Sequence, residues 1–183
     1  MACLDDARRA ADHGFRSVLI ADIGVLDASE CPPTFSTDPD MVQGIIAGGA
    51  PALHSAAEGA EDDAGAGAEV IRNRQVGKRD VVVGIAASGR TPFVLGALDE
   101  AKRRGARTYL LCFSPPHRLA HPPILINTGP EVLTGSTRLK AGTATKLLLN
   151  IFSTLAMSRV GKVVSNLMID VNPSNAKLRD RAE

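Results

Sequence analysis

A turn rich in small, hydroxyl and basic residues is the stretch of this sequence best suited to chemistry. Ser88, Gly89, Arg90 and Thr91 follow an apolar run and precede Pro92, which fits the first turn of a helix because its missing N–H would have no partner there. Such a turn gathers backbone N–H groups, two hydroxyls and a guanidinium at a helix N-terminus, where the helix dipole favours an anion. The spacing fits an anion site and an ordinary helix-capping turn equally well.

The kind of anion is narrowed by what the turn lacks. It has neither the Gly-Lys-Ser/Thr ending of a P-loop nor the three spaced glycines of a dinucleotide loop, so a small phosphate ester is expected rather than a nucleotide. A second hydroxyl-rich segment places Ser136, Thr137 and Lys140 before the longest helical pattern. These residues could add donors for the same phosphate or simply cap that helix, and the two interpretations stay open.

Two carboxylates deserve weighing as acids or bases. Glu30 follows a strand-end region and precedes two prolines that fix the backbone, although a surface or capping carboxylate is the commoner role at such a place. Glu61 shares one face of a predicted helix from Pro51 with His54 and Glu58, where a solvated polar face is favoured over a metal site. No metal and no cofactor are therefore predicted.

The order of the elements indicates an α/β fold with a mainly parallel sheet, in which ligands bind outside the carboxyl ends of the strands near the switch point. Two loops are expected, at 31–35 because of its prolines and at 62–67 because it is polar and glycine-rich. Apolar runs predict strands at 17–20, 81–85, 108–113 and 124–126, and periodicity and caps predict helices at 4–13, 38–48, 51–60, 68–75, 93–104 and 139–164.

Composition excludes several classes of protein. The net charge is +1 with scattered Lys and Arg, and the chain has no Trp and one Tyr, so neither a nucleic-acid footprint nor a stacking platform for bases is expected. The first residues are acidic where a signal peptide would be basic, and no apolar stretch reaches the length of a membrane span. Three cysteines show no metal or redox spacing. A soluble, cytoplasmic protein is expected.

Several long motifs together resemble the N-acetylmuramic acid 6-phosphate etherase family over most of residues 24–182. They are DASECPPTF (27–35), MVQGIIAGG (41–49), AAEGAED (56–62), DVVVGIAASGRTP (80–92), TGPEVLTGSTRLKAGTATKLLLN (128–150) and GKVVSNLMIDVNPSNAKLRDRA (161–182). The resemblance implies a sugar isomerase (SIS) domain, a three-layer α/β/α sandwich. It assigns residues 1–171 to an N-terminally shortened SIS domain and 172–183 to the start of a truncated C-terminal helical domain.

The same resemblance implies a lyase that cleaves the D-lactyl ether of N-acetylmuramic acid 6-phosphate by elimination and hydration. By motif position the proton donor falls on Glu30 and the second active-site carboxylate on Glu61. The residues 88–91, with Ser136 and Thr137, would hold the phosphate or the sugar. A homodimer with active sites near the subunit interface is also implied, without nucleic acid or membrane as a partner.

One departure from the family keeps other functions open. The family has a Gly-Thr-Ser-Gly-Arg type loop where residues 20–24 read Ile-Ala-Asp-Ile-Gly, so that one phosphate cradle is missing and Asp22 adds a negative charge. The alternatives are a non-catalytic sugar-phosphate sensor, as in the related glucokinase regulatory protein, and an inactive remnant. The presence of both carboxylates favours the enzyme, and the missing loop favours the alternatives.

Overall fold

A parallel sheet forms the centre of the computed structural model, which describes residues 17–21, 31–116, 120–173 and 175–182. Within these ranges the sheet has five strands in the order β2-β1-β3-β4-β5. The strands are β1 (Ser17–Ala21), β2 (Val42–Ile45), β3 (Val81–Ile85), β4 (Arg107–Cys112) and β5 (Pro123–Leu125), and the helices are α1 (Ala64–Asn73), α2 (Pro92–Arg103), α3 (Lys140–Arg159) and α4 (Ala176–Ala182). The predicted α/β class is confirmed.

The central strand β3 separates two apolar layers. Val82 packs in a cluster with α1 and α2, whereas Val83 and Ile85 pack on the other face with Leu149 of α3. A side chain at Gly84 would lie 2.6 Å from Val94 Cγ1, so the glycine lets α2 approach the sheet closely. Helices therefore cover both faces, and the three-layer sandwich is confirmed.

Helices α1 and α2 cross at two glycines, which corrects the prediction of a loop at 62–67. A Cβ on Gly67 would lie 2.0 Å from the Phe93 carbonyl oxygen, and one on Gly96 would lie 2.1 Å from the Ala64 oxygen. Asp63 caps α1 by accepting a 2.8 Å hydrogen bond from the Ala66 N–H. Here the glycines serve close helix packing, because tertiary contacts outweigh their weak helix propensity.

The helix predicted at 38–48 is wrong, because this segment contains strand β2. Asp38 accepts from the Asp40 N–H at 2.8 Å, and the Met41 N–H donates to the Asp38 oxygen at 2.9 Å. Asp followed by Pro39 begins a β-turn as readily as a helix. The turn leads into a strand that pairs in parallel with β1.

Two further local predictions are wrong. Residues 31–35 are helical rather than a loop, and Pro32 and Pro33 lie at the start of the helical residues that the structure describes. Proline is tolerated in a first turn because the N–H groups there have no intrahelical acceptor. The helix predicted at 51–60 is replaced by two 3₁₀ turns, Ala50–Leu53 and Ala60–Asp62. His54, Glu58 and Glu61 consequently share no helix face.

After α3 the chain forms a small antiparallel hairpin of β6 (Val163–Val164) and β7 (Leu167–Met168), followed by α4. The Ser36 hydroxyl donates to the Asp170 oxygen at 2.6 Å and ties this hairpin to the first half of the chain. The predicted domain boundary at 171/172 stays a prediction.

No helix in the described ranges combines the length and apolarity of a membrane span. Nor do those ranges bring together three or more His, Cys, Asp or Glu side chains able to hold a metal ion.

Candidate functional site

A cleft of about 500 Å³ opens at the carboxyl edge of the sheet. The sheet order places the topological switch between β1 and β3, because β2 lies on one side of β1 and β3 on the other. Open α/β sheets bind ligands at this edge. The cleft is lined by Ala87, Ser88, Phe113, Ser114, Pro115, Leu125, Asn127, Gly129, Pro130, Glu131, Thr137 and Ala141.

The first wall of the cleft is the turn that follows β3. The Gly89 N–H donates to the Ala86 oxygen at 2.9 Å, and Gly89 has a φ of +68° that favours glycine. The Phe113 N–H donates to the Ala87 oxygen at 2.9 Å, which fixes the turn to the end of β4. A Cβ on Gly89 would lie 3.1 Å from Pro116 Cβ, so the turn lies tightly against the next loop.

This turn leaves polar groups open for a ligand. Ser88 and Arg90 are exposed, and Thr91 is half-buried at the N-cap of α2. The Thr91 side chain makes no capping hydrogen bond, and the first turn of α2 contains no acidic residue. The positive end of the α2 dipole is therefore open, with hydroxyl and guanidinium donors beside it.

The opposite wall is built differently, around the N-terminus of α3. Glu131 Oε2 accepts from the Lys140 N–H and Oε1 from the Ala141 N–H, both at 2.9 Å. The next two N–H groups of α3 are satisfied within the chain, since Gly142 donates to the Thr137 oxygen at 2.9 Å and residue 143 to the residue 139 oxygen at 3.0 Å. This helix N-terminus is closed by a carboxylate.

The hydrogen bonds also control the charge of Glu131. The backbone N–H of Ala141, then that of Lys140, lower the pKa of the Glu131 carboxyl below its ordinary value of 4.5, and the Lys140 ammonium adds a smaller lowering. Partial burial opposes these effects. Glu131 is accordingly ionised at neutral pH and presents a negative charge to the cleft.

Only some of the residues predicted for the site lie together in this cleft. Thr137 lines the same cleft as Ser88. Four other predicted residues are not among the lining residues: Gly89, Arg90, Thr91 and Ser136. Glu61 is exposed on the 3₁₀ turn Ala60–Asp62 and does not line this cleft. Glu30 lies outside the described residues, so its assignment stays a prediction.

Sequence reasoning missed Glu131, although a signal for it exists. The N-cap of α3 is Leu139, which offers no side-chain acceptor, and the first turn of the helix contains no acid. A long helix without a local cap needs an acceptor from elsewhere, and Glu131 is the acid in the preceding small-residue loop.

The burial of His121 was also missed from the sequence. Its ring lies between the Thr108 hydroxyl and Asp99 Oδ1, each at 3.0 Å. The Lys102 ammonium donates to the neighbouring Ala120 oxygen at 2.9 Å. These contacts hold the end of the loop whose beginning, at Phe113, lines the cleft.

Comparison with known proteins identifies relatives by sequence. A family model described as the glucokinase regulatory protein N-terminal SIS domain matches residues 22–102. The N-acetylmuramic acid 6-phosphate etherase of Cutibacterium acnes is 59% identical over 165 residues, which are 87% of this chain and 54% of that protein. The etherase of Crocosphaera subtropica is 58% identical over 87% of this chain and 53% of its own length. The chain thus spans about half the length of the curated relatives it matches.

Solved structures agree on the fold. A phosphoheptose isomerase from Neisseria gonorrhoeae superposes with a TM-score of 0.58 at 14% identity, covering 84% of this chain and 82% of that one. A putative sugar-phosphate isomerase from Listeria monocytogenes gives 0.55 at 13% identity, covering 87% and 77%. The sandwich is thus a SIS fold, and the resemblance of the chain to the N-acetylmuramic acid 6-phosphate etherase family is confirmed over the part of those proteins that it spans.

Proposed function

We propose that this protein is an etherase that converts N-acetylmuramic acid 6-phosphate to N-acetylglucosamine 6-phosphate and D-lactate. The observation that carries the proposal is an identity of 54–59% to relatives that are all named as this etherase. The cleft beside Ser88 supports it, because an open helix N-terminus with hydroxyl and guanidinium donors suits a phosphate ester. A phosphorylated sugar as substrate favours a cytoplasmic site of action.

The reaction needs two proton transfers. In the open form of the sugar the C1 aldehyde acidifies the proton on C2, which a base removes. An acid then protonates the departing lactate oxygen, and water adds across the resulting double bond. Each transfer by a positioned group contributes typically about 10²–10⁴ in rate. The acid must stay protonated near neutral pH, which requires an apolar or crowded setting for one carboxyl.

Glu30 and Glu61 are the carboxyls that we propose for these steps. Glu30 is assigned as the acid for lactate departure and Glu61 as the base at C2, and the exchanged roles remain the alternative. In the sequence Glu30 lies between β1 and the helical residues 31–35. Glu61 is exposed and therefore accessible to a ligand or to another subunit.

The remaining proposed residues hold the substrate. Ser88, Arg90 and Thr91 surround the open N-terminus of α2, and Gly89 permits the turn, so we assign the phosphate to residues 88–91. Thr137 lies on the opposite wall and is assigned to the sugar, with Ser136 supporting its loop. Because Glu131 closes α3, the phosphate has no free N–H groups on that side.

We also propose a homodimer. Leu147, Ile151 and Leu155 follow one another at four-residue spacing on α3 and are 59%, 51% and 41% exposed. The other side of this helix packs on the sheet through Leu149. An apolar stripe repeated on two copies would bury itself about a two-fold axis, as isologous interfaces do.

The direct test incubates the purified protein with N-acetylmuramic acid 6-phosphate and measures D-lactate. We expect release by the wild-type chain, loss of at least about 10²-fold in Glu30→Gln and in Glu61→Gln, and unchanged release in the control Glu69→Gln, an exposed glutamate of α1. Wild-type release from Glu30→Gln would end its assignment as the acid.

The same assay separates the second candidate, a non-catalytic sugar-phosphate sensor, which the family model over residues 22–102 favours. Binding of N-acetylglucosamine 6-phosphate without any lactate release would support the sensor. Absence of both binding and release would support an inactive remnant.

For the dimer, light scattering should give twice the mass of the 19.2 kDa chain, and Ile151→Asp should give the monomer mass. A monomeric wild-type chain would contradict the dimer.

A further inference from the structure

The N-terminus of α3 has the general features of an anion site. The helix has 20 residues, and its first turn reaches the cleft through Ala141. The N-cap, Leu139, provides no side-chain acceptor, and no acid stands in the first turn. On these features alone the α3 N-terminus would compete with the turn at Ser88 for one phosphate, since Ala141 and Ser88 both line the cleft and a helix N-terminus attracts an anion.

The contacts of Glu131 make the N-terminus of α3 a worse place for a phosphate than the turn at Ser88. Its two carboxylate oxygens each accept a backbone N–H at 2.9 Å, from Lys140 and from Ala141. An incoming phosphate would have to break both bonds and displace a carboxylate that is itself an anion. The Leu139 N–H also has an acceptor within the chain, the Ser136 oxygen at 3.2 Å. The first turn of α3 therefore has no backbone N–H group left for a ligand.

The surrounding charges support the same conclusion. Lys140 is the cation that lowers the Glu131 carboxyl's pKa through its charge, so its ammonium is partly balanced by Glu131. At the α2 end the charged residue is Arg90, which is exposed, and the first turn of that helix contains no acid. The turn before α2 therefore carries the positive charge of Arg90, although Arg90 does not itself line the cleft, whereas the cleft wall at α3 carries the negative charge of Glu131 beside Lys140.

We propose that Glu131 is a specificity-determining residue that excludes the phosphate of the substrate from the N-terminus of α3 and confines it to residues 88–91. This inference rests on the proposed function, in which the cleft holds a sugar phosphate. It fixes the direction in which the sugar lies across the cleft, because the phosphate end must face Ser88 and the rest of the sugar must face Glu131 and Thr137. Glu131 thereby selects one orientation of the substrate.

The test is a titration of the ¹⁵N-labelled full chain with inorganic phosphate, read at each backbone amide. In the wild-type chain we expect saturable shifts at residues 88–91 and none at Lys140 and Ala141. In Glu131→Ala, new saturable shifts should arise at Lys140 and Ala141. Glu131→Gln keeps the side-chain volume and leaves one acceptor oxygen, so it should give a weaker response at the same two amides. The control Glu69→Ala removes an exposed glutamate from α1 and should behave as the wild type.

The outcomes separate this inference from the proposed function. Shifts at Lys140 and Ala141 in the wild type, or their absence from both folded Glu131 variants, would overturn the role of Glu131. No shift at residues 88–91 in any protein would overturn the phosphate site instead, while the response of Glu131→Ala would still decide the role of Glu131. If Glu131→Ala fails to fold, Glu131→Gln gives the decision. A structural role alone would not create a phosphate-dependent signal at these two amides.

Discussion

Two helices, α2 and α3, begin close in sequence to residues that line the cleft, and their N-termini differ in what occupies them. That of α2 follows a tight turn at Gly89, has a Thr N-cap that makes no side-chain bond and has no acid in its first turn. That of α3 follows a longer loop and is closed by both oxygens of Glu131. Both are preceded by hydroxyl-rich sequence. Composition around a helix start therefore says little about anion binding until the acceptors of its N–H groups are known.

Because the two ends of the cleft differ in this way, a bound sugar phosphate should lie in one orientation. Donors without internal acceptors gather at the α2 end, and a satisfied carboxylate stands at the α3 end. A phosphorylated sugar would meet both ends at once, because the cleft of about 500 Å³ spans from Ser88 to Thr137. Substitutions at one end should consequently change phosphate binding, and matched substitutions at the other end should not.

The largest effect is expected from removing donors at the open end. Ser88→Ala and Arg90→Gln should each weaken phosphate binding by about tenfold, and the double variant by about 100-fold, because hydrogen bonds to a charged group contribute about 1.5–3 kcal/mol. Isothermal titration calorimetry with N-acetylglucosamine 6-phosphate measures this. The control Ser158→Ala, in the last turns of α3, should leave the affinity unchanged. Equal affinity in the double variant and the wild type would remove the open end from the binding site.

The next-largest effect is expected when one glycine at each end of the cleft is replaced by alanine. Gly89 and Gly135 have φ values of +68° and +80°, so either alanine variant should cost about 1–2 kcal/mol of backbone strain. Gly89→Ala should cost more, because its Cβ would lie 3.1 Å from Pro116 Cβ, whereas nothing lies within 4 Å of a Cβ on Gly135. Urea unfolding gives the free energies. Phosphate binding should fall in Gly89→Ala alone, and an equal fall in Gly135→Ala would contradict the assignment of the phosphate to the α2 end.

The stability that Glu131 contributes at the N-terminus of α3 should depend on pH. Folding lowers the pKa of Glu131, so its stabilisation is present above the unfolded value near 4.5 and is lost as the pH falls through the lower folded value. Glu131→Gln should therefore be less stable than the wild type at pH 7, and the gap should narrow as the pH is lowered below 4.5. Urea unfolding at several pH values measures the gap, with Glu69→Gln as the control. A gap that does not depend on pH would show that the Glu131 charge has no part in closing α3.

The smallest effect concerns the N-cap of the open helix. An N-cap residue replaced by alanine usually costs about 0.5–2 kcal/mol, but Thr91 makes no capping bond, so Thr91→Ala should cost less than about 0.5 kcal/mol. Asp63→Ala is the matched comparison, because Asp63 does cap α1, and it should cost about 1 kcal/mol. Thermal unfolding ranks the two variants. Equal losses would mean that the Thr91 hydroxyl stabilises α2 and is not held open for a ligand.

Sequence predicted the parts of this molecule that local pattern controls. The apolar run 81–85, the Pro92 helix start and the long helix before residue 160 are all present. The failures lie where one local signal fits two structures. Asp38-Pro39 starts a turn into a strand, and the glycines of 62–67 belong to a helix that packs closely on α2. Their outcomes depend on neighbours distant in the chain, which a single sequence does not show.

The candidate site divides in the same way. Ser88 and Thr137 were predicted, and they line one cleft because the sheet brings the ends of its strands to one edge. Glu131 was missed because its role depends on the N–H groups of residues 140 and 141, nine and ten positions later. The assignments of Glu30 and Glu61 stay predictions that the lactate assay tests.

The central claim is that the phosphate of a sugar lies against residues 88–91 and not against α3. The most direct measurement is a crystal structure of the full chain with N-acetylglucosamine 6-phosphate bound. The phosphate oxygens are expected within hydrogen-bond distance of the Ser88 hydroxyl and the backbone N–H groups of the α2 end, with both Glu131 bonds intact. A phosphate bound to the Lys140 and Ala141 N–H groups, with Glu131 displaced, would contradict the account.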